Sequence, residues 1–247
     1  FWTLSINFQD EKKNLITSSI SQLEGKKIEK FSFKNKNEIN DAIASIENKK
    51  FNISDISSKI VSRNPSGPFT TSTLQQVASS RLGFGASRTM QIAQRLYQGI
   101  EIDGETIGLI TYMRTDGTNL SADAVSDFRD FIKKEYGTEY LPEKPLNYSG
   151  KKAKNAQEAH EAIRPTDISR SPDSVKKYLS TDQQKLYNLI WGRALSSQME
   201  TAKFDRNTIT ITTEDGATIC KSSGSVLKFD GFLKVFPSPN KDEDEAI

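Results

Sequence analysis

A tyrosine, an arginine and an aspartate occupy alternate positions near the middle of the chain, at Tyr112, Arg114 and Asp116. In extended backbone, successive side chains point to opposite faces, so these three share one face while Met113 and Thr115 take the other. A phenolate can attack phosphorus, and a guanidinium can hold two non-bridging phosphate oxygens at once. The spacing therefore indicates phosphodiester chemistry, although a tyrosine that caps a core beside a solvated arginine produces the same isolated pattern.

The residues on either side predict how this group is positioned. The apolar run at residues 107–110 is typical of a short buried strand, and the sequence D-G-T-N at residues 116–119 is rich in turn formers. We therefore expect Tyr112 and Arg114 to lie where a buried segment reaches the surface.

Three stretches in chain order carry a resemblance to a known family. They are P-S-G-P-F-T-T-S-T-L-Q-Q at residues 65–76, I-T-Y-M-R-T-D at residues 110–116 and A-Q-E-A-H-E-A-I-R-P-T at residues 156–166. With these motifs the chain resembles the type IA DNA topoisomerases, and bacterial topoisomerase I in particular. Two positions bear on the match, since Gly117 stands where the family usually has Ser, and Met113 stands where topoisomerase III tends to have Pro.

The resemblance implies roles for individual residues. Tyr112 would be the nucleophile that forms a 5′-phosphotyrosine without ATP, and Arg114 would hold the scissile phosphate. Four further residues are expected to contact DNA, namely Asp116, His160 and Arg164 in the motifs and Lys152 in the basic cluster at residues 151–154. Asp116 is also expected to orient Arg114 or His160. Purely structural roles are the alternative for these residues, because a lone histidine is often structural, an aspartate commonly opens a turn, and an arginine before proline can anchor a loop.

The same resemblance implies a magnesium ion in the full-length enzyme, bound by a D-x-D-x-E cluster in a separate Toprim domain. The acidic run at residues 242–245 does not match that spacing and is typical of a solvated tail. We therefore expect the magnesium ligands to lie outside this chain, which would be catalytically incomplete alone. The expected partners are single-stranded and negatively supercoiled DNA, with the Toprim and domain IV parts of the same polypeptide.

Composition narrows the class of protein further. The net charge is only +2 and the chain has one cysteine, Cys220, which excludes an internal disulfide and argues against a thiolate metal site. No apolar run approaches the roughly 20 residues that span a bilayer. The densest basic cluster near a motif is K-K-A-K at residues 151–154. These features predict a cytoplasmic protein without a membrane partner, and the resemblance to the type IA topoisomerases implies that it is associated with the nucleoid.

Hydrophobic periodicity predicts an α+β fold. Period-two alternation begins at Trp2, recurs in residues 14–20, 26–33 and 51–61, and returns beyond residue 200, with further apolar strand material at residues 226–235. Helical spacing is found at residues 38–47 with Asn37 as cap, twice between residues 70 and 99, from residue 122, at 157–163, and from a capping box at 181–184. The predicted architecture is a discontinuous antiparallel β arch, residues 1–66 plus 200–247, carrying an inserted α-rich, winged-helix-like tyrosine domain at residues 67–199.

Three other functions stay open from the sequence. The helices between residues 70 and 99 resemble a helix-turn-helix, which would make the chain a non-catalytic DNA-binding module that contacts the backbone through Arg81, Arg88 and Arg95. A structural interaction protein would show no salt-dependent DNA affinity. A topoisomerase III-like decatenase is the alternative within the family.

Overall fold

The computed structural model describes residues 2–9, 12–148 and 161–238. Lys152, His160 and the acidic run at residues 242–245 lie outside the described residues. Within those ranges the chain forms two compact units, one of residues 2–61 with 204–228 and the other of residues 62–203 with 229–238. The domain boundaries given above stay a prediction.

The regular elements follow one another in chain order. The strands are β1 (Ser5–Gln9), β2 (Leu15–Leu23), β3 (Lys26–Lys27), β4 (Phe51–Arg63), β5 (Ile100–Ile102), β6 (Glu105–Ile107), β7 (Ala202–Thr213) and β8 (Ile219–Phe229). The α-helices are α1 (Lys36–Ile46), α2 (Thr71–Leu82), α3 (Ala86–Gln98), α4 (Ala122–Glu135), α5 (Pro172–Val175) and α6 (Thr181–Ser196). Short 3-10 turns occupy Thr138–Tyr140, Lys176–Tyr178 and Gly231–Lys234.

The larger sheet has the strand order β1-β2-β8-β7-β4, with β3 beside β2. The pairs β1–β2, β2–β3 and β2–β8 are antiparallel. The hairpin partners β7 and β8 are joined by a turn in which Gly216 has a positive φ. Mixed helix and antiparallel sheet confirm the α+β class, whereas the arch and the winged helix stay predictions.

One face of this sheet is covered by α1. Ile46 of the helix packs with Ile20, Ile211 and Cys220 of the strands in one buried cluster. Burial raises the pKa of the Cys220 thiol to about 11, because a thiolate is poorly solvated there. The lone cysteine is therefore part of the hydrophobic core.

Several element boundaries predicted near the two ends of the chain are wrong. Helix α1 begins earlier than expected, since Asn35 rather than Asn37 is the cap and accepts a hydrogen bond from Glu38 N. Of the strand predicted at residues 26–33, only Lys26–Lys27 forms a strand, and Phe33 makes an isolated antiparallel bridge with Trp2. The apolar stretch at residues 226–235 is a strand, as predicted, only as far as the end of β8 at Phe229, and beyond it lies the 3-10 turn Gly231–Lys234.

The second unit is built around helices whose ends carry the expected signals. Thr70 caps α2 by accepting a hydrogen bond from Thr73 N, and Gly83 ends the helix in the left-handed conformation with φ 69°. Helix α6 is buried along much of its length. Its capping box is formed by Ser180 and Gln183, one residue before the predicted Thr181. Ser180 takes this position because its side chain reaches the N3 amide of the first turn.

Two local structures differ from the predictions near the tyrosine. The strand expected through residues 107–110 is instead a small antiparallel hairpin, β5–β6, and only an isolated bridge follows, from Ile110 to Pro165. Asp103 and Gly104 both have positive φ, 51° and 88°, as a type I′ turn requires. The predicted helix at residues 157–163 is wrong in its described part, because Glu161 and Ile163 form extended bridges.

No helix in the described ranges is both long and apolar enough to cross a bilayer.

Candidate nucleic acid cleavage site

Exposure alternates along the tyrosine motif. Tyr112 is 48% exposed and Arg114 and Asp116 are exposed, whereas Met113 is 3% and Thr115 is 7% exposed. This is the pattern that extended backbone predicts for residues spaced by two. The phenol and the guanidinium therefore reach solvent from the same side of a short segment that is anchored on its other side.

Thr71, the first residue of α2, holds the backbone around Arg114. Its hydroxyl donates to the Met113 carbonyl at 2.7 Å and accepts from the Thr115 amide at 2.8 Å. The Thr71 amide in turn donates to the Thr115 carbonyl at 2.9 Å. Since Met113 and Thr115 flank Arg114, one threonine fixes the backbone on both sides of the guanidinium.

Thr111 makes an equivalent clamp before the tyrosine. Its hydroxyl donates to the Ala162 carbonyl at 2.7 Å and accepts from the Arg164 amide at 3.0 Å. The Thr111 amide donates to the Arg164 carbonyl at 2.9 Å. The tyrosine motif and the end of the 156–166 motif are thereby held side by side.

The motif at residues 65–76 joins the same arrangement. Ile163 donates its amide hydrogen to the Phe69 carbonyl at 2.9 Å, and Ala162 donates to the Asn119 carbonyl at 2.9 Å. Backbone hydrogen bonds thus bring together the described parts of all three motifs.

Arg164 is committed to a structural ion pair. Its Nε and Nη2 donate to the two carboxylate oxygens of Glu161 at 2.7 and 3.1 Å, and its Nη1 donates to the Pro165 carbonyl at 2.9 Å. Burial alone raises the pKa of Glu161, but hydrogen bonds from Arg164 and from the Ser121 amide lower it below its ordinary value. The loop-anchor alternative for Arg164 therefore describes its geometry, and its contact with DNA stays a prediction.

Asp116 does not lie against Arg114. Among the described residues, its carboxylate forms no ion pair with that guanidinium within 4.0 Å. Its other predicted partner, His160, lies outside the described residues, as does Lys152. The roles of these residues stay predictions.

The three arginines predicted to contact the DNA backbone from the helix-turn-helix differ in how far their side chains contact neighbouring residues. Arg88 pairs with Asp182 and lies over the ring of Phe84. Arg81 lies over the ring of Phe236, 4.1 Å from its centroid. Arg95 is exposed. Two of the three proposed backbone contacts are therefore engaged with neighbouring side chains.

Sequence reasoning missed three residues of this site. Thr71 lies where a threonine is typical of a helix cap, and nothing in the spacing indicates its role or that of Thr111 here, because the partners of their hydroxyls lie more than forty residues away along the chain. Tyr97 continues the apolar helical spacing of Met90, Ala93 and Leu96, which predicts a buried residue, yet it is 42% exposed and its ring contacts that of Tyr112. Its place at the edge of the apolar stripe was the one available signal.

The chain belongs to the DNA topoisomerase family, whose sequence model matches residues 1–247. The resemblance to type IA bacterial topoisomerase I, predicted from the three motifs, is confirmed. Over 245 residues the chain is 47% identical to DNA topoisomerase 1 of Rickettsia prowazekii, and the alignment covers 99% of this chain and 31% of that protein. It is 42% identical to DNA topoisomerase 1 of Haemophilus influenzae over 248 residues, covering 100% of this chain and 27% of that protein.

A solved structure is similar as well. The full-length topoisomerase I of Thermotoga maritima superposes with a TM-score of 0.71 at 35% identity, covering 96% of this chain and 37% of that one. The chain thus spans about a third of the length of the relatives it matches.

The described residues do not fit a magnesium site. They contain no group of three or more His, Cys, Asp or Glu side chains that could hold a metal ion.

Proposed function

We propose that this chain carries the DNA-cleaving tyrosine of a type IA topoisomerase that relaxes negatively supercoiled DNA without ATP. The enzyme would cut one strand, pass another through the break and reseal it. The observation that carries the proposal is the exposed pair Tyr112 and Arg114, displayed from a segment that Thr71 and Thr111 clamp on both sides. Family membership over residues 1–247 supports it.

In the cleavage step the Tyr112 oxygen forms a bond to phosphorus, and the bond from phosphorus to the 3′ oxygen breaks. The protein then carries a 5′-phosphotyrosine, and the other DNA end is a 3′-hydroxyl. The phenol loses a proton and the leaving oxygen gains one, so neither an oxidant nor a nucleotide is consumed. Resealing is the reverse reaction, in which one phosphodiester again replaces another.

Arg114 would stabilise the charge on the phosphate during both steps. A planar guanidinium can donate to two phosphate oxygens at once, and it lies on the exposed side of the clamped segment with Tyr112. Removing one such donor typically lowers the rate by about 10²–10³-fold. Asp116, Arg164, His160 and Lys152 are proposed as further DNA contacts.

The remaining parts of the proposal concern the intact protein. Residues beyond this chain, in Toprim and domain IV parts, would bind magnesium and complete the grip on single-stranded DNA. The larger sheet would serve as an arch and the α2–α3 unit with its hairpin as a winged-helix-like scaffold. The enzyme would work in the cytoplasm at the nucleoid, and this chain alone would be inactive.

The test is covalent capture of DNA by the intact enzyme. A single-stranded oligonucleotide labelled at its 3′ end should remain attached to the protein after denaturation, and peptide mapping should locate the adduct at Tyr112. Tyr112→Phe should abolish the adduct, and Arg114→Ala should lower its rate of formation by about 10²–10³-fold. Tyr178→Phe is the matched control, since Tyr178 hydrogen-bonds to Asp103 on the hairpin.

Persistence of the adduct in Tyr112→Phe would refute the assignment of the nucleophile. If an oligonucleotide labelled at its 5′ end, and not one labelled at its 3′ end, leaves its label on the protein, the proposed polarity would be refuted.

A further inference from the structure

The ring of the proposed nucleophile is in contact with a second tyrosine. The centroids of the Tyr97 and Tyr112 rings are 5.3 Å apart and their planes meet at 65°, an edge-to-face arrangement. Both rings are partly open to solvent, with Tyr97 42% and Tyr112 48% exposed. Such pairs are favoured because the positive edge of one ring meets the negative face of the other.

The backbone of Tyr97 is fixed relative to the segment that leads to Tyr112. Tyr97 lies in the last turn of α3, where the preceding residue, Leu96, accepts a hydrogen bond from the Leu109 amide at 2.8 Å. Gly108 passes so close that a Cβ there would lie 2.6 Å from the Tyr97 carbonyl oxygen. Only glycine permits this approach without a backbone shift, so the end of α3 and the start of the tyrosine motif are held together.

The side chain of Tyr112 has few other restraints. The clamps made by Thr71 and Thr111 act on backbone groups to either side of it. Among the described residues, the Tyr112 hydroxyl makes no hydrogen bond, and Tyr97 is the aromatic ring against which it packs. A half-exposed tyrosine whose hydroxyl is unpaired would otherwise sample several staggered χ1 rotamers.

We propose that Tyr97 is a positioning residue, which holds the Tyr112 ring in the orientation from which its oxygen attacks phosphorus. The inference rests on the proposed function, because it assigns Tyr97 to the reaction of Tyr112. Tyr97 does not exchange protons or touch the reacting phosphate. Its contribution is the restriction of Tyr112 to one rotamer before DNA binds.

The experiment measures single-turnover cleavage of a single-stranded oligonucleotide by the intact enzyme, at saturating DNA, together with the DNA dissociation constant. Tyr97→Phe keeps the ring and should react like the wild type. Tyr97→Leu and Tyr97→Gln remove it with an apolar and a polar replacement, and both should slow cleavage by about three- to tenfold with the dissociation constant unchanged. Because the ring is exposed, neither replacement leaves a sealed cavity.

A spectroscopic measurement separates positioning from a merely structural role. 3-Fluorotyrosine placed at position 112 should give one narrow ¹⁹F resonance in the wild type and in Tyr97→Phe. In Tyr97→Leu and Tyr97→Gln the resonance should move and broaden, because the ring-current field is lost and several rotamers are populated. Tyr178→Leu, which removes a half-buried ring elsewhere in the same unit, should leave it unchanged.

Wild-type cleavage and an unchanged resonance in both ring-deleting variants would overturn the inference. A weaker dissociation constant with an unchanged saturating rate would also overturn it, since Tyr97 would then be a DNA contact. Adduct formation by Tyr112→Phe would instead refute the proposed function, whatever the Tyr97 variants do.

Discussion

Replacing Thr71 by valine tests how strongly the site depends on a single hydroxyl. Valine has the same branched shape, but it can neither accept from the Thr115 amide at 2.8 Å nor donate to the Met113 carbonyl at 2.7 Å. Both residues are almost fully buried, at 7% and 3% exposure, so water cannot easily replace the hydroxyl. A buried backbone group left unpaired costs about 1–3 kcal/mol, so keeping the segment in place would cost about 2–6 kcal/mol for the two groups.

The chain can avoid part of that cost only by moving the segment. Either way, local opening around Thr115 becomes easier by about 2 kcal/mol, which corresponds to about thirtyfold faster amide exchange in peptides covering this region. Displacing the backbone on both sides of Arg114 should also slow covalent capture of single-stranded DNA by at least about tenfold, because a charge-stabilising donor must be held in place.

Hydrogen exchange by mass spectrometry and the capture assay on the intact enzyme measure the two effects. Thr71→Ser is the matched control, because it retains the hydroxyl and should preserve both exchange and capture within about threefold. Wild-type rates of amide exchange and covalent capture in Thr71→Val would show that the Thr71 hydrogen bonds do not stabilise this segment. Equal damage from serine and valine would show that the methyl group matters rather than the hydrogen bonds.

Two predictions concern pH. The pKa of Glu161 is lowered in the folded protein from the ordinary glutamate value of 4.5. Its ion pair with Arg164 should therefore stabilise the fold fully at pH values above 4.5, and this stabilisation should be lost as the pH falls through the lower pKa of the folded state. Glu161→Gln should therefore destabilise the protein by about 1–3 kcal/mol in urea unfolding at pH 7 and much less at pH 3, and an equal difference at both would contradict the ion-pair explanation. Burial raises the pKa of Tyr148 to about 12. The contribution of its neutral side chain to the free energy of unfolding should therefore be fully present below pH 10 and be lost as pH rises through 12. Tyr148→Phe should make that decline shallower by about 1.4 kcal/mol per pH unit, measured by urea unfolding between pH 9 and 12, and an unchanged slope would contradict it.

The parts of the fold that periodicity and caps specify were predictable. Helix α2 lies between Thr70 and Gly83 because a hydroxyl satisfies the first amides and a glycine adopts the left-handed end, and both signals are local. The exposure of Tyr112 and Arg114 followed from period-two alternation, another local property.

The errors have a common physical origin in long-range contacts. Apolar residues at 226–235 were expected to form a strand, but β8 ends at Phe229. Beyond it Gly231 adopts a positive φ of 48°, and Phe232 donates its amide hydrogen to the Glu200 carbonyl, which closes a 3-10 turn against a distant segment. The clamps at Thr71 and Thr111 are also tertiary, because each joins residues more than forty positions apart. Residue spacing predicts which faces are buried, but it does not name the partner of a hydroxyl.

The hairpin of β5 and β6 has a consequence for engineering. The Leu109 amide meets the Leu96 carbonyl across its base, so the chain leaves and rejoins the scaffold at nearly one point, with Gly99 and Gly108 at the two crossings. Residues 100–107 therefore form a surface appendage, whose length can change without shifting the register of either tyrosine, provided that Asp103 keeps the hydrogen bond that it accepts from Tyr178. Shortening it, or grafting a foreign tip onto it, offers a way to attach a reporter within a few residues of the proposed nucleophile while the rest of the scaffold is left as it is.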